Sequence, residues 1–521
     1  MGTVRDVIAP AASALPCRHR WQLSGRSMQE HDRWATIVAA EGCCDSRRCV
    51  SPWLLLQSGD TMRASLAHVE PPPSTTRSPD ERRQAGGALR HKVPRSSHSG
   101  WVPAADRPDP VEILIEQGKS RILELLPIRY GRMRTDPFAF LRGAAAVMAA
   151  DLASTPTTDI CMQACGDAHL NNFGSYATPD GLPVFDINDF DETLPAPFEW
   201  DLKRLATSLV VAGRVADYSA KAARGLALGA TRSYREHTTA LARLPPVEAW
   251  NRHIDLARAI AHIDEPKVRA MVEKHLGQVL ESGSQHFGLV DEKDGGVHIR
   301  EKPPLVYHLS AHTLPAQKAF TSYAGTLEED RRVLLHRHVL KDVAFKAVGV
   351  GSVGTFCAIG LLTAGDGSPL LLQIKEAQES VLVPFAGASK YPNHGERVVV
   401  GQRMMQAATD MFLGWTRKPI DGRHFYIRRL KDSRLADIGT QLEAALPFYA
   451  SLCGRTLARA HARAGDPVMV SGYVGNGAAF EEAITDLAVA YADQTEKDWN
   501  TFLAAIKAGR IVAAAPPPKR S

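Results

Sequence analysis

The sequence predicts an α+β protein that has a mostly helical large lobe and a small lobe with an antiparallel five-stranded sheet. Stretches whose apolar residues recur with the helical period of about 3.6 residues occupy most of the chain. Strand-like runs are concentrated between Val343 and Leu430, where glycine-rich turns such as Ala364–Pro369 separate them. We find no internal repeat.

The N-terminal region carries no sustained helical or strand pattern. Residues 1–61 combine clustered cysteine, tryptophan and arginine, so we expect them to be disordered or not part of the natural product. Met62 is a plausible true start. The stretch from Met62 to Ser99 is rich in Pro, Ser and Arg, and this composition is typical of a tail or linker. We therefore assign residues 1–80 to a tail or a mis-assigned start, and we expect regular structure from about Pro110.

The remaining chain divides into four segments. We predict a helical large lobe at 81–335, the small lobe at 336–432, C-terminal helices of the large lobe at 433–510 and a tail at 511–521. Within the large lobe the patterns predict, in order, two helices between Pro110 and Ala153, a strand at 160–164, a hairpin at 172–187, helices from Glu199 to about 290, and helices at 447–464 and 478–508.

Composition and charge exclude several classes of protein. The chain has 521 residues, of which 44% are apolar, enough for a large core. Its 62 basic and 57 acidic residues give a net charge of only +5, without a long Lys/Arg block, which argues against nucleic-acid binding. No stretch approaches the roughly 20 apolar residues that span a bilayer. We expect a cytoplasmic protein without a nucleic-acid or membrane partner.

Two acidic segments surround the predicted hairpin. The first, CGDAHLNNF, places Asp167 and Asn172 five residues apart after an apolar strand. The second, VFDINDFDE, brings Asp189 and Asp191 to the end of the next strand. Phosphoryl transfer needs a carboxylate for the attacking hydroxyl and oxygen ligands for Mg²⁺. A surface cluster of carboxylates is the alternative, whereas an EF-hand is excluded because Phe190 occupies a ligand position and the central glycine is missing.

A glycine-rich loop lies in the predicted small lobe. The sequence GVGSVG, with Gly349, Gly351, Ser352 and Gly354, matches the pattern GxGxxG. A dinucleotide-binding loop must open a helix, but the following segment TFCAIGLL is β-branched, aromatic and apolar, as in a strand. Between two strands, such glycines let backbone amides approach the phosphates of a nucleotide.

Lys375 lies in the next predicted strand, LLLQIKE. A buried lysine needs an anionic partner. We predict Glu396, which opens the helix-like segment ERVVVGQRMM, as that partner, with Glu376 or Glu379 as alternatives. A lysine that points to solvent from an edge strand is the other interpretation.

Both constellations resemble those of protein kinases and aminoglycoside phosphotransferases. GDAHLNNFG is similar to the GDxHxxN catalytic loop of these kinases, INDFDE to their metal-binding motif, and LLLQIK to the strand that carries their lysine. The resemblance implies that Asp167 is the catalytic base and that Lys375 holds the α- and β-phosphates. It further implies Asn172 and Asp189 as Mg²⁺ ligands, assisted by Asp191.

The resemblance extends to residues around these motifs. Asp201 resembles the helix aspartate that supports the catalytic loop by accepting hydrogen bonds from its backbone. His169 contacts phosphate or packs the loop. Arg132, Arg134 and Arg142 cluster before the first motif, where they recognise an anionic group or fix helices through salt bridges.

The order of the motifs differs from that of kinases. The segment LCGRTLARAHARAGD resembles the helix that leads into the catalytic loop, yet it lies about 290 residues after that loop. We therefore predict a circularly permuted protein-kinase-like fold. The motifs RYGRMRTDPFAFLRGAA, GDAHLNNFG, FDINDFDET and YADQTEKDW are similar to those of the bacterial family called domain of unknown function 2252, over about residues 80–510.

The motifs together predict an ATP- and Mg²⁺-dependent phosphotransferase that acts on a hydroxyl of a small molecule. Two alternatives remain. One is transfer of a nucleotidyl (AMP) group to a protein hydroxyl. The other is a nucleotide-binding pseudokinase or scaffold, whose signature would be the loss of Asp167, Asn172, Asp189 or Lys375.

Overall fold

The computed structural model describes residues 77–178, 182–283, 288–293, 296–303, 305–308, 316–346, 349–430 and 443–515. All of these residues belong to one compact unit, Ser65–Ser521. The predictions for residues 1–76 and for the last residues of the C-terminal tail lie outside the described residues.

The described helices and strands follow one another without a repeated unit. The helices are α1 (Pro79–Lys92), α2 (Pro110–Gly118), α3 (Leu126–Met133), α4 (Pro137–Gly143), α5 (Ala145–Ala153), α6 (Phe198–Val215), α7 (Ala220–Leu241), α8 (Pro246–Asn251), α9 (Leu256–Ala261), α10 (Pro266–Gly283), α11 (Ala316–Ala324), α12 (Glu329–Leu335), α13 (Val383–Ala386), α14 (His394–Met405), α15 (Leu446–Ala464), α16 (Pro467–Val474) and α17 (Ala479–Lys507). The strands are β1 (Cys161–Ala164), β2 (Phe173–Ala177), β3 (Pro183–Ile187), β4 (Leu194–Pro197), β5 (Ile254–Asp255), β6 (Val290–Lys293), β7 (Gly296–Ile299), β8 (Val306–His308), β9 (His338–Lys346), β10 (Cys357–Ala364), β11 (Pro369–Ala377), β12 (Gly414–Trp415) and β13 (His424–Arg429).

The largest described sheet is antiparallel, with the strand order β12-β13-β11-β10-β9-β8. The prediction of five strands is wrong, because β8 pairs with β9 and adds a sixth strand before the expected start of the small lobe. Three residues are too few to show an alternating pattern, so the sequence did not reveal β8. The predicted order of strand, glycine loop and strand is confirmed by the pairing of β9 with β10.

Both faces of this sheet are covered by apolar side chains. Leu372, Ile374 and Ile427 belong to one buried cluster, whereas Leu371 and Ile359 belong to another on the opposite face. Because neighbouring residues of a strand point to opposite faces, a strand covered on both sides reads as a continuous apolar run, as LLLQI does.

The large lobe is built around α6. Almost every residue from Phe198 to Gly213 is buried, and the helix packs against α7 and α17. The spacing of leucines predicted one buried face; polar residues such as Asp201 and Arg204 are nevertheless buried because they have hydrogen-bond partners. The hairpin is confirmed as β2 paired with β3, while β1 pairs with β4.

The part of the Met62–Ser99 stretch that the structure describes is not a linker. Ser78 and Glu81 form a capping box that starts α1. Gly86 lets α1 approach α16 closely, since a Cβ there would lie 2.0 Å from the carbonyl oxygen of Met469. The prediction of a tail or linker is wrong for this segment, because α1 packs on α16 through a close contact at Gly86 and not through large apolar side chains.

The two helices predicted between Pro110 and Ala153 are each divided, into α2 and α3 and into α4 and α5. Pro127 favours a new helix start at α3, because proline fits the first turn and not the interior of a helix. None of the described helices combines the length and the apolar character that crossing a membrane requires.

Candidate active site

A cavity of about 560 Å³ brings the two sequence constellations together. Seven of the site residues predicted from the sequence line this cavity: Asp167, Asn172, Asp189, Asp191, Gly349, Gly351 and Ser352. Gly354, Lys375 and Glu396 are not among its lining residues, although the side chain of Lys375 contacts two of the carboxylates. The residues that the sequence assigns to one site therefore converge on the cavity, except for Gly354 and Glu396.

The loop of residues 166–172 (GDAHLNN) is fixed by hydrogen bonds to α6 at its start. Gly166 has a positive φ of 83°, and a Cβ there would lie 2.3 Å from the carbonyl oxygen of Glu192, so a larger residue does not fit. The carboxylate of Asp201 accepts hydrogen bonds from the amides of Cys165 (2.8 Å) and Gly166 (3.0 Å). The support predicted for Asp201 is confirmed.

Asp167 is fixed at the cavity wall. The Arg204 guanidinium donates to Asp167 Oδ1 at 2.5 Å, and the Asn172 amide donates to the backbone oxygen of Asp167 at 2.6 Å. Sequence reasoning missed Arg204, whose position three residues after Asp201 on the same helix is the signal that could have indicated it. Asp167 is thus oriented as a hydrogen-bond acceptor towards the cavity.

His169 is a neutral packing residue. Its ring is buried, and burial lowers the pKa of His169 to about 3, although the Asp167 carboxylate opposes this shift. The ring packs edge-on against Phe138, with 6.4 Å between centroids. These contacts favour the packing role over contact with phosphate.

Lys375 connects the small lobe to the acidic segment. Its side chain is 3% exposed, and Nζ lies 2.7 Å from Asp191 Oδ2 and 3.5 Å from Asp189 Oδ1. Tyr426, which lies opposite Lys375 on β13, donates to Asp191 Oδ1 at 2.6 Å. The prediction that Lys375 pairs with Glu396 is wrong, because Nζ of Lys375 contacts the carboxylates of Asp189 and Asp191 instead.

From α14, His394 lines the cavity, and Arg397, the neighbour of Glu396, contacts the segment of residues 189–193. Its guanidinium donates to the backbone oxygens of Asp191 (2.8 Å) and Thr193 (2.6 Å) and to that of Gln378 (2.8 Å). Arg397 thereby joins the acidic segment to the end of β11. Adjacent residues of an α-helix point in directions that differ by about 100°, so only one of Glu396 and Arg397 can face this segment. The sequence alone did not show which of the two it is.

The electrostatics of the carboxylate pair are asymmetric. Burial, reinforced by the neighbouring Asp191, raises the pKa of Asp189. Burial would also raise the pKa of Asp191, but the charge and hydrogen bond of Lys375 and the hydrogen bond from Tyr426 lower it. Although burial opposes charge on Lys375, the two carboxylates hold the pKa of Lys375 well above its usual value. Asp191, which accepts hydrogen bonds from both Lys375 (2.7 Å) and Tyr426 (2.6 Å), is therefore the more strongly held carboxylate, whereas Asp189 has the longer contact of 3.5 Å with Lys375.

The glycine loop is fastened to the segment between α2 and α3. Arg121 Nη1 donates to the carbonyl oxygens of Gly351 (2.8 Å) and Val353 (2.7 Å), and the amide of Ile122 donates to that of Gly354 (2.7 Å). Arg132 donates to the carbonyl oxygen of Gly349. The loop is thus fixed at four of its carbonyl groups.

The donor set of the cavity fits Mg²⁺. Asp189, Asp191 and the side-chain oxygen of Asn172 are hard oxygen ligands, which Mg²⁺ prefers when waters and phosphates complete its shell. The described residues contain no group of three or more His, Cys, Asp or Glu arranged for a metal ion. A site here would therefore depend on oxygens supplied by a bound ligand.

The comparisons with known proteins give one match. The model of a family described as an uncharacterized protein conserved in bacteria (DUF2252) matches residues 121–505, which is well over half of the chain. No curated protein and no solved structure matches the chain. The kinase-like motifs themselves stay a prediction.

Proposed function

The chain belongs to the bacterial family DUF2252, and from the geometry of its cavity we propose that it transfers a phosphoryl group from Mg·ATP to a hydroxyl of a small molecule. One observation carries the proposal. Lys375 and Asp191, 184 residues apart in the chain, form an ion pair beside a cavity that Asp167, Asn172 and the glycine loop line. A phosphotransferase needs these groups in one place.

The residues take the following roles in the proposed reaction. Asp167, oriented by Arg204, accepts a hydrogen bond from the acceptor hydroxyl and aims its oxygen at the γ-phosphorus. The new bond joins that oxygen to phosphorus, the bond to the β,γ-bridging oxygen breaks, ADP leaves, and the hydroxyl proton passes to Asp167 or to solvent. Mg²⁺, held by Asp189 and Asn172, would neutralise charge on the phosphates.

The proposal includes a protein-kinase-like fold in circularly permuted order. The order of the elements supports it, because β9, the glycine loop, β10, the lysine strand β11 and α14 follow one another as in a kinase small lobe. The loop of residues 166–172 precedes all of them. The acceptor is taken to be small by analogy with the GDxHxxN loop of small-molecule kinases.

Phosphorus NMR of the full-length chain with ATP and Mg²⁺ tests the reaction, with water as the acceptor that is always present. We expect slow formation of ADP and phosphate, reduced about 100-fold or more by Asp167→Asn, because loss of a positioned acid–base group typically has this effect. Asp330→Asn, an exposed carboxylate outside the cavity, is the matched control and should leave the rate unchanged. Release of pyrophosphate would indicate nucleotidyl transfer instead, and an equal rate in Asp167→Asn would contradict the assigned role.

A further inference from the structure

Several buried or largely buried arginines in the described part of the chain pair with carboxylates. Arg107 pairs with Asp151 at 2.7 Å and with Asp498 at 2.6 Å. Arg459, with 1% of its side chain exposed, pairs with Asp186. This is the usual arrangement, because an unpaired charge inside a protein is strongly destabilising.

Two arginines at the candidate active site depart from this arrangement, as does Arg397, which donates to backbone oxygens. Arg129 on α3 is 1% exposed and lines the cavity, and among the described residues it has no ion pair with a carboxylate. Its Nη2 donates to Gln117 Oε1 (2.9 Å) and to the Gly143 carbonyl oxygen (2.6 Å). Its Nε and Nη1 are buried without a hydrogen-bond partner among the described residues. The hydrogen-bond partners of the Arg129 guanidinium in the described part of the chain are therefore neutral, and the nearby Glu192 carboxylate acts on its charge without forming an ion pair.

Arg121 repeats the pattern beside Arg129. It lines the same cavity, donates only to backbone carbonyls of the glycine loop, and its Nε is buried without a partner in the described part of the chain. Burial and the nearby Arg121 charge lower the pKa of Arg129 well below its usual value. Two arginines that repel each other across a cavity wall favour an anion between or in front of them.

The third arginine of this wall is Arg142, at the end of α4. It lines the cavity and lies over the ring of Phe138, with 5.9 Å from Cζ to the ring centre. Its charge also acts on His169, beside Asp167. The cavity lining thus combines carboxylates, which suit a metal ion, with these three arginines, of which Arg142 acts on His169 beside Asp167.

We propose that Arg121, Arg129 and Arg142 form an anion-binding wall that receives a phosphate or carboxylate group of the acceptor. This inference rests on the proposed phosphoryl transfer, and it narrows the acceptor to hydroxyl compounds that carry a negative charge. The planar guanidinium groups present paired N–H donors that match both anions. The same chemistry could be supplied by the phosphates of the nucleotide, so the test must separate these two sources.

The test measures the affinity of the full-length chain for inorganic phosphate by titration calorimetry, first alone and then with a saturating Mg²⁺ complex of a non-hydrolysable ATP analogue. If the arginines bind the acceptor, the affinity for phosphate with and without the nucleotide analogue should agree within about threefold, because phosphate and nucleotide then bind at the same time. If the nucleotide displaces phosphate competitively, the arginines hold nucleotide phosphates and the proposal is wrong. This comparison needs only the unmodified protein.

Variants then assign the binding to the wall. Arg129→Lys and Arg142→Gln should each weaken phosphate binding about tenfold or more, because a hydrogen bond to a charged group contributes roughly 1.5–3 kcal/mol. Arg331→Gln removes the same charge from α12, outside the cavity, and should change the affinity less than twofold. Equal affinities in all three variants, or no phosphate binding by the unmodified chain, would overturn the proposal.

The outcomes separate this inference from the proposed function. Nucleotide binding without phosphate binding leaves the phosphotransferase intact and removes the anion wall. Phosphate binding that depends on Arg129 and Arg142, without any nucleotide binding, removes the phosphotransferase and with it the acceptor role of the wall.

Discussion

Replacing Lys375 by methionine tests the ion pair that joins the two lobes. The substitution keeps the length and apolar stem of the side chain but removes the charge that lies 2.7 Å from Asp191 and 3.5 Å from Asp189. Removing one partner of a buried pair costs about 3–5 kcal/mol. Because 25% of Asp191 and 31% of Asp189 stay exposed to water, we expect a smaller loss in the free energy of unfolding, about 2 kcal/mol.

Urea denaturation of the full-length chain measures this loss, with Lys341→Met as the control. Lys341 is exposed on β9 of the same sheet, so its substitution should change the free energy of unfolding by less than about 0.5 kcal/mol. Combining Lys375→Met with Asp191→Asn relieves the repulsion between the two carboxylates. We expect a coupling of about 1 kcal/mol or more between the two sites.

The pH dependence of the Lys375→Met effect follows from the pKa of Asp191, which is lowered in the folded protein. A carboxylate with a lowered pKa stabilises the fold above its unfolded pKa of about 3.9, and this contribution is lost as the pH falls through the folded value. The difference in the free energy of unfolding between Lys375→Met and the unmodified protein should therefore become smaller below about pH 4. A change of less than about 0.5 kcal/mol at pH 7 would refute the ion-pair account.

Three further changes test the surroundings of the site and the N-terminal packing. Asp201→Ala leaves two buried amides without an acceptor, so the free energy of unfolding should fall by about 2–3 kcal/mol in urea denaturation; a loss below about 0.5 kcal/mol would contradict its supporting role. Gly166→Ala places a Cβ at a positive φ and against the Glu192 carbonyl, and should cost about 2 kcal/mol or more. In Gly87→Ala on α1 the Cβ would make an ordinary contact of 3.8 Å with the Gly472 carbonyl oxygen, so this control should be neutral or stabilising. Burial lowers the pKa of His98 to about 3, so the unfolded state takes up its proton first and stability is lost as the pH falls below about 6.5. Between pH 7 and 5 the free energy of unfolding should fall by about 2 kcal/mol because of this residue, and His98→Gln should remove that loss. Urea denaturation at both pH values measures it; an unchanged pH dependence in His98→Gln would show that His98 does not titrate in this way.

The sequence predicted those parts of the site whose chemistry is local. Asp167, Asn172, Asp189 and Asp191 occur in short motifs next to strands, and the cavity contains all four. The role of Asp201 was also predicted, from its resemblance to the helix aspartate of kinases, and its carboxylate does accept hydrogen bonds from the amides of Cys165 and Gly166.

The contacts that the sequence did not predict depend on packing between distant segments. The choice of Arg397 over Glu396 depends on the rotation of α14 against the acidic segment. Arg121 lies far from the glycine loop in sequence, and only the packing of the segment after α2 brings it to Gly351. The helix α1 was missed because its close contact through Gly86 leaves no apolar pattern.

The most direct test of the central claim is calorimetric titration of the full-length chain with a non-hydrolysable ATP analogue, with Mg²⁺ and with a chelator. The account predicts binding that requires Mg²⁺ and that weakens about tenfold or more in Asp189→Asn, because that carboxylate would hold the metal. Binding that is indifferent to both Mg²⁺ and Asp189→Asn, or no binding of any nucleotide by the folded protein, would contradict the assignment of this cavity as a nucleotide site.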